Sequence, residues 1–241
     1  MSIKNDQIKL GNISLEVIRK DIKNVHLSVY PPTGRVRISA PTRMKLDTVR
    51  VFAISKLSWI KKQQNRFRCQ ERESVREYLS RESHYFLGKR YLLKVVESDF
   101  APSVSIKHEA VEMCVRPKTS QEKKREILDE WYRQRLKEIV PGIISKYEQV
   151  LKVSVDSFGI KKMRTKWGTC NREARRIWLN LELAKKPLHY IEYIIMHEIA
   201  HFLERRHNDK FTAYLDKLMP QWRNYKEELN RAPLGHVDWG Y

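Results

Sequence analysis

Residues 197–207 read HEIAHFLERRH, three histidines and a glutamate within eleven positions. Whether they mark a metal site or a helix that merely carries histidines decides the fold of the C-terminal half. On an ideal helix from Leu188 to Leu203, at about 100° per residue, Leu188, Ile191, Ile195, Met196, Ile199, Phe202 and Leu203 fill one broad apolar face. His197 and His201 fall roughly 40° apart on the opposite side, off that stripe, although the neighbouring Ile194 keeps their face from being wholly polar. Imidazoles at i and i+4 stack one turn apart and can aim nitrogens at a common point, about 2.0–2.1 Å from each, as a zinc ion requires. Glu198 is poorly placed to be a ligand but well placed to take a proton from a water at the metal. A chance HExxH in a chain of this size is expected on the order of once in a hundred. The competing reading is a solvent-facing pair of histidines with no metal.

His207 adds a condition. On an uninterrupted helix it would lie about 15 Å beyond His197, too far to share an ion. The helix must therefore end just after Leu203 and turn within Glu204–Arg206. The metzincins make that turn at a glycine, where this chain has Glu204; here Asn208 or Asp209, capping a new helix through Phe211, Leu215 and Leu218, offers another way round. Glu204, Asp209, Glu228 and His236 are reserve ligands.

Around this motif the chain is α+β. Alternation in Ile13–Val17, Val25–Val29 and Val36–Ala40, with PPTG at 31–34, predicts a three-stranded antiparallel meander. Helical spacing follows from Leu46 to about Phe67, then strands in 91–96, 103–107 and 111–115. Thr119 and Glu122 have capping-box spacing ahead of a helix that Pro141 and Gly142 should kink or restart. Strand-like stretches near 153–161 and in RIWLNLEL, 176–183, precede the motif helix, which should begin at Pro187. These shifts divide the chain into a β-rich N-terminal region, 1–117, and a C-terminal domain, 118–241.

The 241 residues are 41% apolar, enough to fill a core, and carry 48 Lys and Arg against 29 Asp and Glu, a net +19. That excess points to an anionic partner, nucleic acid among them, or simply to a well-hydrated surface. Three dispersed cysteines make neither a disulfide framework nor a CxxC site. With no secretory leader and no stretch of about 18 apolar residues, the expectation is a cytoplasmic protein without a membrane span. The absence of GxGxxG and GxxxxGK[ST] excludes the usual nucleotide loops.

MRTKWGTC (163–170), WLNLEL, HEIAH, the later His207 with Phe211, and MPQW (219–222), together with YPPTGRVRISAP (30–41) and LSWIKKQ (57–63), resemble the YgjP-like metal-dependent hydrolases, relatives of the SprT-like and other HExxH zincin metallopeptidases. The resemblance spans nearly the whole chain. It implies a minimal zincin domain with zinc on His197, His201 and His207 and Glu198 as general base, Mn²⁺ or Ni²⁺ being possible substitutes. It further implies a strand beside the cleft that pairs with extended substrate, for which Ile177–Leu183 is the candidate, and it brings Arg164, Lys166, Trp167 and Asn180 near the cleft as candidate substrate contacts. Trp167 and Cys170 have a competing role in packing the sheet against the motif helix.

Three functions compete. A zinc peptidase would use Glu198 as base and Tyr190, Tyr193 or Arg164 at the oxyanion. A nucleoside triphosphate pyrophosphohydrolase of the UTP type would use the same site and exploit the basic Arg164–Lys166 stretch. A nucleic-acid-binding module with structural zinc is disfavoured by a histidine-rich site with no evident fourth ligand. Oligomeric state is not legible.

Overall fold

The computed structural model describes residues 5–30, 33–69, 76–163 and 166–231. The chain forms two compact units, Met1–Glu71 and Arg72–Tyr241. The boundary expected near 117 therefore falls inside the second unit.

In the first unit, β1 (Asn5–Leu10), β2 (Ile13–Lys20), β3 (His26–Tyr30) and β4 (Arg35–Pro41) form one sheet in the order β1-β2-β4-β3. This corrects the expected meander: β4 lies between β2 and β3, parallel to β2 and antiparallel to β3. Burial gives the reason. Val36, Ile38 and Ala40 of β4 are fully buried and claim the centre, whereas β3 is only half-buried and takes the edge. The β3–β4 turn closes with Gly34 N–H donating to the Tyr30 carbonyl at 2.9 Å; Pro31 and Pro32 of the expected turn lie outside the described residues. The helical stretch from 46 is two helices, α1 (Leu46–Ser55) and α2 (Leu57–Cys69), which supply Val49, Ala53 and Ile60 to this core.

The second unit contains a sheet of order β5-β6-β8-β7, made of β5 (Ser83–Phe86), β6 (Lys89–Glu97), β7 (Ser103–Lys107) and β8 (Ala110–Val115). Leu93, Val111, Met113 and Val115 from this sheet share one core with Leu128, Tyr132 and Leu136 of α3 (Gln121–Leu151). For this reason no break occurs at 117. Ser120, not Thr119, caps α3, its hydroxyl accepting from Lys123 N–H at 3.3 Å. The helix also continues through Pro141, so the expected restart does not occur. Lys137, whose carbonyl loses its partner there, is exposed with Pro141, so water can satisfy the freed group.

A second sheet has the order β10-β11-β9, from β9 (Ser157–Lys161), β10 (Gly168–Asn171) and β11 (Arg176–Asn180). A short 3-10 helix, Leu181–Lys185, leads into α4 (Leu188–Leu203), followed by α5 (Asp209–Leu218) and α6 (Trp222–Arg231). Ile177 and Leu179 of β11 pack in one core with Ile191, Ile195, Met196 and Ile199 of α4. Leu188 and Leu203, expected on the core face, are 47% and 37% exposed because they stand at the two ends of α4, beyond the sheet. No helix among the described residues is long and apolar enough to cross a membrane.

Candidate metal centre

α4 ends at Leu203, and Glu204 follows with φ −130° and ψ 117°. That extended geometry reverses the chain without a left-handed residue, so glycine is not needed here. Asn208 then opens α5, its side-chain oxygen accepting from Phe211 N–H at 3.1 Å. This break and restart swing His207 back over α4.

As a result His197, His201 and His207 offer nitrogen atoms that all lie within 4.8 Å of one another. The Nε2 atoms of His197 and His207 are 3.1 Å apart. Two ligands of a tetrahedral zinc ion, each about 2.0–2.1 Å from it, stand about 3.3 Å apart, so the pair fits such an ion with little adjustment. His201 donates from Nδ1 to the Glu204 carbonyl at 3.1 Å, which fixes its tautomer and leaves the Nε2 lone pair for a cation. Phe211, only 1% exposed, lies against all three rings with centroids 4.6–5.0 Å away and walls the cluster from below. Burial pushes the proton affinity of all three imidazoles down, His197 to about 3, helped by its histidine neighbours and Lys226. Neutral, converging imidazoles are the donor set of a borderline-soft divalent ion such as zinc.

Among the described residues, no carboxylate or thiol completes this cluster. Of the reserves, Glu204 contributes its backbone to His201, Asp209 sits in the first turn of α5, and the Glu228 carboxylate accepts from the Tyr190 hydroxyl. His236 lies outside the described residues.

The histidines open onto a cleft of about 1140 Å³ lined by Lys166, Gly168–Arg172, Glu173, Arg175, Glu198 and Arg205. Glu198 is 7% exposed, and burial lifts its carboxyl to about 7 despite the lowering pull of Lys166 and the Cys170 thiol. A carboxyl poised there is matched to general-base work near neutrality. Cys170 is in turn pushed up to about 11 by burial and by the Glu198 carboxylate, so it stays a thiol. Gly168 lets Glu198 in: a Cβ on it would stand 2.9 Å from both Cγ and Oε1 of Glu198.

The candidate substrate contacts separate. Lys166 is exposed in the cleft, and Arg164 lies outside the described residues. Trp167 does not line the cleft; it packs against the core with the Lys186 ammonium 5.8 Å from its ring. Asn180 is 0% exposed, and its amide is consumed. Its Oδ1 accepts from Met163 and Glu182 N–H at 3.3 and 3.2 Å, and its Nδ2 donates to the Met163 and Lys166 carbonyls at 2.9 and 2.8 Å. It is a clamp on the loop entering β10, not a substrate contact. The strand expected to bind substrate is also corrected, because β11 is central, paired on both sides, and gives way to the 3-10 helix after Asn180. The sheet's edges are β10 and β9, and of the two it is β10 that lines the cleft.

The register says which groups face that edge. Asn180 N–H donates to the Trp167 carbonyl at 2.8 Å, and Gly168 and Cys170 stand opposite Leu179 and Ile177. Antiparallel pairs alternate, so Gly168 and Cys170 turn their backbone N–H and C=O away from β11, toward the open side. Of the expected oxyanion groups, Tyr190 is bonded to Glu228, and Tyr193 is 3% exposed behind His197, its ring centroid 5.8 Å away. Arg172 and Arg205 carried no motif that marked them as part of this site, whereas Gly168 and Phe211 lay within the stretches that carry the family resemblance but had no role assigned to them.

A family model described as YgjP-like, metallopeptidase domain, matches residues 23–232. The chain is similar to the zymogen of the Pyrococcus abyssi metallopeptidase abylysin, with 16% identity, covering 39% of this chain and 99% of that one at a TM-score of 0.36. It is also similar to the zymogen of the Methanocaldococcus jannaschii metallopeptidase jannalysin, with 20% identity, covering 37% and 92% at a TM-score of 0.34. No curated protein matches.

Proposed function

Because the chain belongs to the YgjP-like metallopeptidase family, a family of metal-dependent hydrolases, we propose that it is a zinc peptidase with His197, His201 and His207 as ligands and Glu198 as general base. The observation that carries this reading is the meeting, in one cleft, of three neutral imidazoles with a buried carboxyl whose proton affinity lies near 7. A divalent ion on those nitrogens would polarise a scissile carbonyl and make a neighbouring water easier to deprotonate. Glu198 takes the water's proton on a carboxylate oxygen and later gives it to the leaving amine nitrogen. The Cys170 thiol donates to that carboxylate, and the Lys166 charge favours its ionised form. An extended peptide adds to β10 through the Gly168 and Cys170 backbone, which lays its carbonyl across the cleft beside the histidines.

A nucleoside triphosphate pyrophosphohydrolase is the second reading, favoured by the cations Lys166, Arg172 and Arg205 along the cleft. The test is direct. Zinc-loaded protein is incubated with casein and, separately, with UTP, alongside Glu198→Gln. Casein cleavage abolished by Glu198→Gln supports the peptidase. Release of pyrophosphate from UTP without casein cleavage overturns it, and casein cleavage that survives Glu198→Gln removes Glu198 from its role.

A further inference from the structure

The charged groups lining the cleft are unequal: Lys166, Arg172, Arg175 and Arg205 face only Glu173 and Glu198. Glu198 lies on the floor, 7% exposed, and serves the reaction. Arg175 is partly engaged, donating to the Ser154 carbonyl at 2.8 Å and standing 4.0 Å from Asp156. Arg172 and Arg205 differ from it. Among the described residues neither has a carboxylate within ion-pair distance.

They come from separate turns and reach the same flank. Arg172 sits in the β10–β11 turn and donates to the Phe202 carbonyl at 3.0 Å, which holds it beside the last turn of α4. Its charge is felt at His201 and at Cys170. Arg205 follows the extended Glu204 directly, three residues beyond Phe202. One hydrogen bond leaves most of the Arg172 guanidinium free, and each fork suits a carboxylate. Both therefore stand at the C-terminal end of α4, Arg172 from the turn that follows β10 and Arg205 from the segment that follows the helix.

We propose that the cleft selects acidic peptides, with Arg172 and Arg205 receiving a Glu or Asp side chain on the flank of the scissile bond that lies over the end of α4. This rests on the peptidase reading above. A peptide fits better than a nucleotide because an unpaired strand edge runs along the cleft to these arginines.

The test reads binding and cleavage separately. Zinc-loaded Glu198→Gln is titrated with a fluorescein-labelled peptide of about ten residues carrying glutamates, and with its glutamine counterpart, using anisotropy. The glutamate peptide should bind about tenfold tighter at low salt, and the advantage should shrink as salt is raised. Arg205→Gln should reduce the advantage severalfold while leaving the glutamine peptide unaffected. Arg172→Gln should act similarly, with Arg172→Lys as the variant that retains charge if loss of the Phe202 contact unfolds the chain. Equal affinity for the two peptides, or a glutamate advantage untouched by Arg205→Gln, overturns the inference. Casein cleavage by the wild-type chain is followed in parallel. Selective binding without any cleavage sinks the peptidase reading and keeps an acid-selective cleft, whereas cleavage without selectivity keeps the peptidase and sinks the selectivity. Turnover of UTP with neither peptide bound nor cleaved overturns both in favour of a nucleotide.

Discussion

Replacing Gly168 by alanine tests the placement of the general base without touching it. A Cβ at 168 would stand 2.8 Å from Ile194 Cγ2 and 2.9 Å from Glu198 Cγ and Oε1. Carbon contacts normally settle at about 3.5–4.0 Å, so Glu198 or β10 must give by about 0.6 Å or more. Ile194 is buried in the core of α4 and yields little, which leaves the Glu198 side chain to move. Displacing a reacting group by the better part of an ångström costs on the order of ten- to a hundredfold in rate. Overpacking costs about 1–3 kcal/mol of stability, or several degrees in Tm for a unit of this size. We therefore expect zinc-loaded Gly168→Ala to lose about ten- to a hundredfold in kcat on a fluorescent casein substrate, with KM and metal content near wild type. Wild-type kcat in Gly168→Ala would refute the assignment of Gly168 as the space that seats Glu198.

Other expectations follow from single residues. His207→Ala should lower zinc affinity by orders of magnitude while leaving α4 intact, read by metal titration and circular dichroism, because the remaining pair sits on an unbroken helix. Asn180→Ala should destabilise the chain by about 2–4 kcal/mol in urea, since it orphans the Met163 and Glu182 N–H groups and the carbonyls that its amide serves. Asn180→Asp would keep the acceptor only and should recover part of that loss. For Glu182, burial pushes the carboxyl up, but Lys185 at 2.7 Å, with Lys162 and Lys186 beyond, holds it below its ordinary 4.5. Its stabilisation is fully present above the unfolded value and is lost as pH falls through the folded one. Acid unfolding should accordingly be shallower in Glu182→Gln, and an unchanged profile would remove the Lys185 pair as a source of acid sensitivity.

How far the sequence reaches is clearest at His207. Helix geometry required the chain to break after Leu203 if His207 was to join His197 and His201, and the structure breaks there. How it turns was not legible, because an extended Glu204 is one of several backbones that ordinary residues can adopt. Asn180 shows the opposite case. Its position beside the motif suggested a contact with substrate, yet a polar side chain reads the same in a sequence whether it faces water or is sealed in a network of four hydrogen bonds. Whether Pro141 would restart the helix was not legible for a related reason, since the cost of continuing depends on whether water can reach the Lys137 carbonyl, which is a property of the surface.

Local patterning determined the α+β class, most strands, the caps at Asn208 and near Pro187, and the pairing of His197 with His201, because each depends on periodicity within a few residues. Strand order, the membership of β5–β8 in the second core, and the exchange of β11 for β10 as the open edge were decided by tertiary packing. The physical reason is the same in each case: alternation says that a strand has a buried face, whereas which neighbours cover its two edges is settled only by competition among distant segments for the centre of the sheet.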